Sequence, residues 1–201
     1  MAARERIAIL GPGKAGTAVG HLLAKAGHEI TAVAGRRLEA ARLAAALTGG
    51  AATTDFAEAA RGADCVFITT SDDAIETVCN TVAAGGGFRK GMKVAHVSGA
   101  GGLGLLRAAR RRGCRVGCIH PLQTFADVES AVVKIPGSTF GITADADIVP
   151  WADRMVTDLG GRPFHVPEED KPLYHAAACM ASNYLVTLMF LVEEVYGRIG
   201  L

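Results

Sequence analysis

The sequence predicts an α/β fold: a doubly wound, mostly parallel sheet followed by the start of an α-helical C-terminal domain. Three observations lead there. Short apolar runs alternate with segments of helical spacing along most of the chain. Glycine is abundant, 25 of 201 residues, while aromatics make up only 5%, which suits a helix-covered parallel sheet better than an aromatic-cored barrel. The first apolar run, Ile7 to Leu10, enters a glycine-rich turn and then a helical stretch from Lys14 to Ala26 that Gly27 stops.

The elements follow in order. Glu29 to Ala34 reads as a strand, Leu38 to Leu47 as a helix closed by Gly49 and Gly50, Ala51 to Thr53 as a short strand and Asp55 to Ala60 as a short helix. Cys65 to Thr69 is a continuous apolar strand, and Ser71 is placed to cap the helix that opens with Asp72 and Asp73. Met92 to Val97, a helix over Leu103 to Arg112, and Arg115 to Ile119 ending in His120-Pro121 complete six strands. After a loop, Thr139 to Thr143, a helix over Val149 to Leu159 and Arg162 to Val166 extend the same sheet. Residues 1–166 thus form one domain. Residues 167–201 begin another, a single long helix from Leu173 to Arg198, apolar around most of its circumference.

Charge is balanced, 21 Lys and Arg against 20 Asp and Glu, so no overall field attracts nucleic acid or an anionic membrane. The opening lacks the pattern of a secretory signal, and the Tyr184 to Val192 run is about half a membrane span. Five cysteines without a CxxC pair read as reduced thiols of a soluble, cytoplasmic protein. Cys114, Cys118 and His120 share one strand face but lack a fourth ligand, and no metal is expected.

Gly11-Pro12-Gly13-Lys14-Ala15-Gly16 is a G-x-G-x-x-G between a first strand and a first helix, the context of a Rossmann dinucleotide-binding fingerprint. The first glycine permits the turn, the second lets backbone approach the pyrophosphate, and the third lets helix pack on strand. An acid at the end of the second strand would accept the ribose hydroxyls of NAD. That strand instead ends Val33-Ala34-Gly35-Arg36-Arg37, and two guanidiniums suit the 2′-phosphate of NADP. NADP is the expected cofactor.

Open α/β sheets bind ligands at the carboxyl ends of their strands. There the chain places Thr69, Thr70 and Ser71, then Ser98 in a Gly-flanked loop as a candidate contact to cofactor or substrate, then His120. The threonines and Ser71 either touch the dinucleotide or cap the next helix; His120 either orients a ligand or closes its strand. His96, inside a strand, reads as a satisfied core histidine. In the last helix Lys171, Tyr174, His175, Cys179, Ser182 and Asn183 form a polar series. At helical spacing Cys179 and Ser182 fall within about 40° of His175, with Asn183 about 80° from it. This edge makes His175 the first candidate proton donor and Asn183, Ser98 and His120 candidate catalytic partners.

With these pieces in place, the chain resembles the 6-phosphogluconate-dehydrogenase-like superfamily. Within it, the chain is similar to a bacterial family that pairs a Rossmann-like domain with a C-terminal domain of unknown function. The likeness rests on Gly11 to Gly16, Ser98-Gly99-Ala100, His120-Pro121-Leu122-Gln123-Thr124-Phe125, and Tyr174-His175-Ala176-Ala177-Ala178 running to Ala181-Ser182-Asn183-Tyr184-Leu185. It implies reduction of a small carbonyl or imine with NADPH, as in pyrroline-5-carboxylate and ketopantoate reductases, and a homodimer through the C-terminal helix. Members of that family run longer, so a substrate domain extending past Leu201 is expected. A non-catalytic dinucleotide sensor or regulatory module is the alternative from another class.

Overall fold

The computed structural model describes residues 4–201. One sheet of eight strands runs in the order β3-β2-β1-β4-β5-β6-β7-β8. The first six are β1 (Arg6–Leu10), β2 (Glu29–Ala34), β3 (Ala51–Thr53), β4 (Cys65–Ile68), β5 (Lys93–His96) and β6 (Arg115–Pro121), all parallel. The order reverses between β1 and β4, and an open sheet leaves a crevice outside the carboxyl ends at such a point. Beyond β6, β7 (Thr139–Ala144) is antiparallel and β8 (Arg162–His165) runs parallel to β7.

Strand alternation sorts the core into two layers. Ile7 and Ile9 of β1 face α1 (Lys14–Lys25), α2 (Leu38–Thr48), α6 (Val128–Lys134) and α7 (Val149–Asp158), together with Val19, Leu23, Phe67, Phe140 and Trp151. Ala8 and Leu10 face the other way, with Val66, Ile68, Val82, Leu106 and Val116, under α3 (Phe56–Arg61), α4 (Asp72–Ala84) and the short α5 (Arg107–Arg111). Leu103–Leu106, expected as part of one α-helix with α5, is a separate 3-10 turn. The stretch expected as a loop before β7 holds α6, which Asp127 and Ser130 start with a reciprocal capping box. Ser71 stands at the start of α4 without a side-chain cap bond.

At the amino end of the sheet Glu5 is almost buried. Its carboxylate accepts from Lys93 Nζ at 3.0 Å and Arg154 Nη2 at 2.6 Å, tying β1 to β5 and α7. Such a charge is tolerable only because it is paired.

The chain ends in one helical run: a 3-10 turn at Glu168–Asp170, α8 (Lys171–Cys179), a π-helical segment at Met180–Tyr184 and α9 (Leu185–Gly197). Every residue from Asn183 onward is exposed, including Leu188, Met189, Phe190 and Leu191. The Glu168–Gly197 helix, 30 residues long, is apolar and long enough to cross a membrane by length and composition. The core helix of a soluble protein has the same length and composition.

Candidate functional site

Two cavities open at the carboxyl edge of the sheet. The first, about 550 Å³, is walled by the Gly11–Gly13 turn, Gly35, Arg36, Arg37 and the Thr69–Ser71 loop. Gly11 has φ +119°, a conformation favouring glycine, and a Cβ there would lie 2.6 Å from the Thr70 backbone N. A Cβ on Gly16 would run into the Gly11 carbonyl oxygen, so the third glycine is what lets α1 sit on the turn. A Cβ on Gly13 would meet nothing within 4 Å, leaving its backbone open for a ligand to approach.

These residues fit a dinucleotide. The first turn of α1 carries no acid, and its free N–H groups form an anion site beside Lys14 and Ala15. Arg36 and Arg37 are exposed on the wall of the cleft. Thr70 Oγ1 is buried without a hydrogen-bond partner, a polar atom the fold leaves for something else. Thr69 serves differently: its hydroxyl donates to the Gly11 carbonyl at 2.7 Å and fixes the turn itself.

The second cavity, about 460 Å³, lies between the end of β6 and the C-terminal helix. His120, Tyr174, His175, Ser182 and Asn183 line it together. Three of these are the candidates read from sequence, brought onto one wall. The π segment bears on Asn183: its wider turn unwinds the helix between His175 and Asn183 and brings the two closer in angle than the about 80° of straight α-helical spacing. The straight α-helical spacing expected from sequence is corrected by that bulge.

Ser98 does not reach this cavity. It is buried, its hydroxyl donates to Asp72 Oδ2 at 2.7 Å and accepts from the Gly101 N–H at 2.9 Å. With both bonds filled, Ser98 shapes the loop that carries Gly99. Gly99 in turn stands against the histidines: a Cβ on it would collide with His175 Nδ1 and lie 2.7 Å from His120 Nε2. His96 is satisfied as expected, accepting from the Ser98 N–H and facing the Gly102 carbonyl.

Tyr174 received no role from its sequence context, yet its Oη lies 3.0 Å from His120 Nδ1. Gly141 of β7 makes the room, since a Cβ there would stand 2.6 Å from that oxygen. Burial, with Lys171 and His175 adding to it, holds the His120 imidazole down to about 4, so it is neutral near pH 7. Burial raises the Tyr174 phenol. The phenol thus keeps its proton, and with that proton shared to Nδ1 the His120 proton sits on Nε2. His175 Nε2 stands 3.4 Å from Cys179 Sγ, and its buried Nδ1 has no partner.

Lys171 was read as part of the polar series but not as a buried group. It is 3% exposed, and its ammonium donates to Cys118 Sγ at 3.2 Å. Burial pushes that thiol up to about 11. Lysine at a helix start gives no sequence signal of burial, so only the packing of α8 on β6 reveals it.

A family model for a Rossmann-like domain matches residues 1–121, and the model of a domain of unknown function, DUF2520, matches residues 138–201. The second match takes in α7 and the strands β7 and β8, which hydrogen-bond into the same sheet. No curated protein matches the chain. Among solved structures, a Bacteroides fragilis protein assigned as an NADP oxidoreductase aligns over 98% of this chain and 74% of its own, with TM-score 0.82 and 22% identity. Protein TM1727 of Thermotoga maritima aligns over 97% and 70%, with TM-score 0.72 and 25% identity. A pyrroline-5-carboxylate reductase of Coxiella burnetii aligns over 99% and 73%, with TM-score 0.73 and 19% identity. At these identities the structures speak for the fold, and the family models for descent: the chain belongs to the Rossmann-like domain family, with DUF2520 over its residues 138–201.

Proposed function

We propose that the protein is an NADP(H)-dependent oxidoreductase that moves a hydride between the nicotinamide and a small carbonyl, imine or alcohol. One observation carries the reading. The glycine-rich cleft and the His120–His175 cavity sit at the same edge of one sheet, separated in strand order only by β5 and its Ser98–Gly101 loop. A dinucleotide seated by the first is directed toward the second. The names of the Bacteroides and Coxiella neighbours agree with the class.

The dinucleotide supplies the hydride when bound. Gly11 to Gly16 and Thr70 seat its phosphates, and Arg36 and Arg37 hold the 2′-phosphate. His120 offers an uncharged Nε2–H that polarises a substrate oxygen or nitrogen, as a neutral imidazole is able to do. His175 delivers the proton and Asn183 orients the substrate. Calorimetric titration with NADPH and NADH, alongside NADPH oxidation over a panel of ketones, keto acids and cyclic imines, tests the proposal. Tight cofactor binding without turnover on any of them favours a sensor instead.

A further inference from the structure

We infer that the cavity between β6 and the C-terminal helix selects an uncharged substrate, a small apolar body bearing one carbonyl, imine or hydroxyl, and rejects the corresponding carboxylate. The inference rests on the reading of that cavity as the substrate site and adds the chemistry of its occupant.

None of the described residues lining the cavity is Asp, Glu, Lys or Arg. Its floor is Ala177, Ala178 and Ala181, with Leu122 opposite, a surface that rewards contact with hydrocarbon and offers a carboxylate nothing in exchange for its hydration. No residue of the polar end carries a permanent charge. His120 presents an N–H from an imidazole that burial keeps uncharged. His175 Nδ1 is buried and unpartnered, and Asn183 supplies a carboxamide. The His120 N–H and the Asn183 amide complement a single C=O, C=N or C–OH.

The nearest cation does not change this. Lys171 lies behind the wall, 3% exposed and bonded to Cys118 Sγ, and does not line the cavity. The Asp72 carboxylate, held by Ser98, also bears on His120 and opposes that charge. A carboxylate in the cavity would thus lack the cation or bidentate Arg that normally receives one.

A matched pair of probes decides it: 3-methyl-2-butanone and 3-methyl-2-oxobutanoate, in which a carboxylate replaces a methyl. Ligand-observed NMR on the full chain, with and without NADP+, measures apparent Kd for each, and NADPH oxidation is followed separately. The ketone is expected to bind at least roughly tenfold more tightly, the factor for one unpaired polar group. Ala178→Arg, which brings a guanidinium to the floor, is expected to reverse the preference. Keto acid binding as tight as the ketone, or no binding of the ketone to the wild-type chain, overturns the inference whether or not the variant folds. Ketone binding without NADPH oxidation leaves the selectivity standing and removes the oxidoreductase reading. Oxidation with the keto acid in preference to the ketone does the reverse.

Discussion

Tyr174 Oη, on the C-terminal helix, lies 3.0 Å from Nδ1 of His120 at the end of β6, and the two rings meet edge to face. The contact reaches the histidine from outside its own strand, and with Tyr174 as donor it favours the Nε2–H tautomer. Tyr174→Phe is expected to cost about 1 kcal/mol of stability, the usual value of one hydrogen bond. It also frees His120 to populate both tautomers. Long-range proton–nitrogen NMR of the imidazole reports this directly; an Nε2–H form that persists unmixed in the variant removes Tyr174 from that role.

Cofactor choice follows from Arg36 and Arg37 on the cleft wall. NADPH is expected to bind more tightly than NADH by about 1–3 kcal/mol, through charge-assisted bonds to the 2′-phosphate. Replacing both arginines by Ala should bring the two affinities together. A calorimetric preference that survives the double replacement contradicts the assignment.

Acid should destabilise the fold through two histidines. His96 and His120 are each held near 4 against an ordinary 6.5, in both cases chiefly by burial, so the unfolded chain binds more protons than the native one below about pH 6.5. Stability is then full above that pH and is lost as pH falls toward 4. For fully buried His96 the loss by pH 4 is on the order of 3 kcal/mol. Urea unfolding at pH 7 and pH 4 measures it, and His96→Asn should flatten the dependence. An unchanged slope in that variant refutes this account.

His175→Gln keeps a side chain with hydrogen-bonding capacity and removes the titratable ring. Turnover is expected to fall by about 10²–10⁴ with NADPH affinity unchanged, the usual span for positioned acid catalysis. Near wild-type turnover would shift the proton to another group on the same wall.

The α9 surface carries Leu188, Met189, Phe190 and Leu191, each more than half exposed. An exposed apolar surface around most of a helix calls for a cover, and we propose a second copy of the chain. Analytical ultracentrifugation at micromolar concentration should show a dimer, with a Phe190→Glu variant shifting it to monomer. A clean wild-type monomer rules the dimer out.

Most of the fold was legible because apolar periodicity and glycine turns agree along the chain: β2 and β3 fall where their runs place them, and the cleft forms around Gly11 to Gly16. Helix α6 was hidden because its seven residues are too few for a periodic pattern, although Asp127 and Ser130 carry a capping signal. The antiparallel turn into β7 has no local signature; direction is decided by where α6 lets the chain return. At the site, His120, His175, Ser182 and Asn183 were visible as polar groups at strand ends and on an apolar helix. The Tyr174–His120 bond and the burial of Lys171 join parts 53 and more residues apart, a distance over which single-residue patterns say nothing.

The Glu5 carboxylate sets an order of events during synthesis. It leaves the ribosome early, while Arg154, one of its two cations, follows 149 residues later. Until α7 is made, a nascent chain that buries β1 leaves this charge with Lys93 alone. The first strand therefore gains its full stability only when the seventh helix docks, long after the strand itself is made.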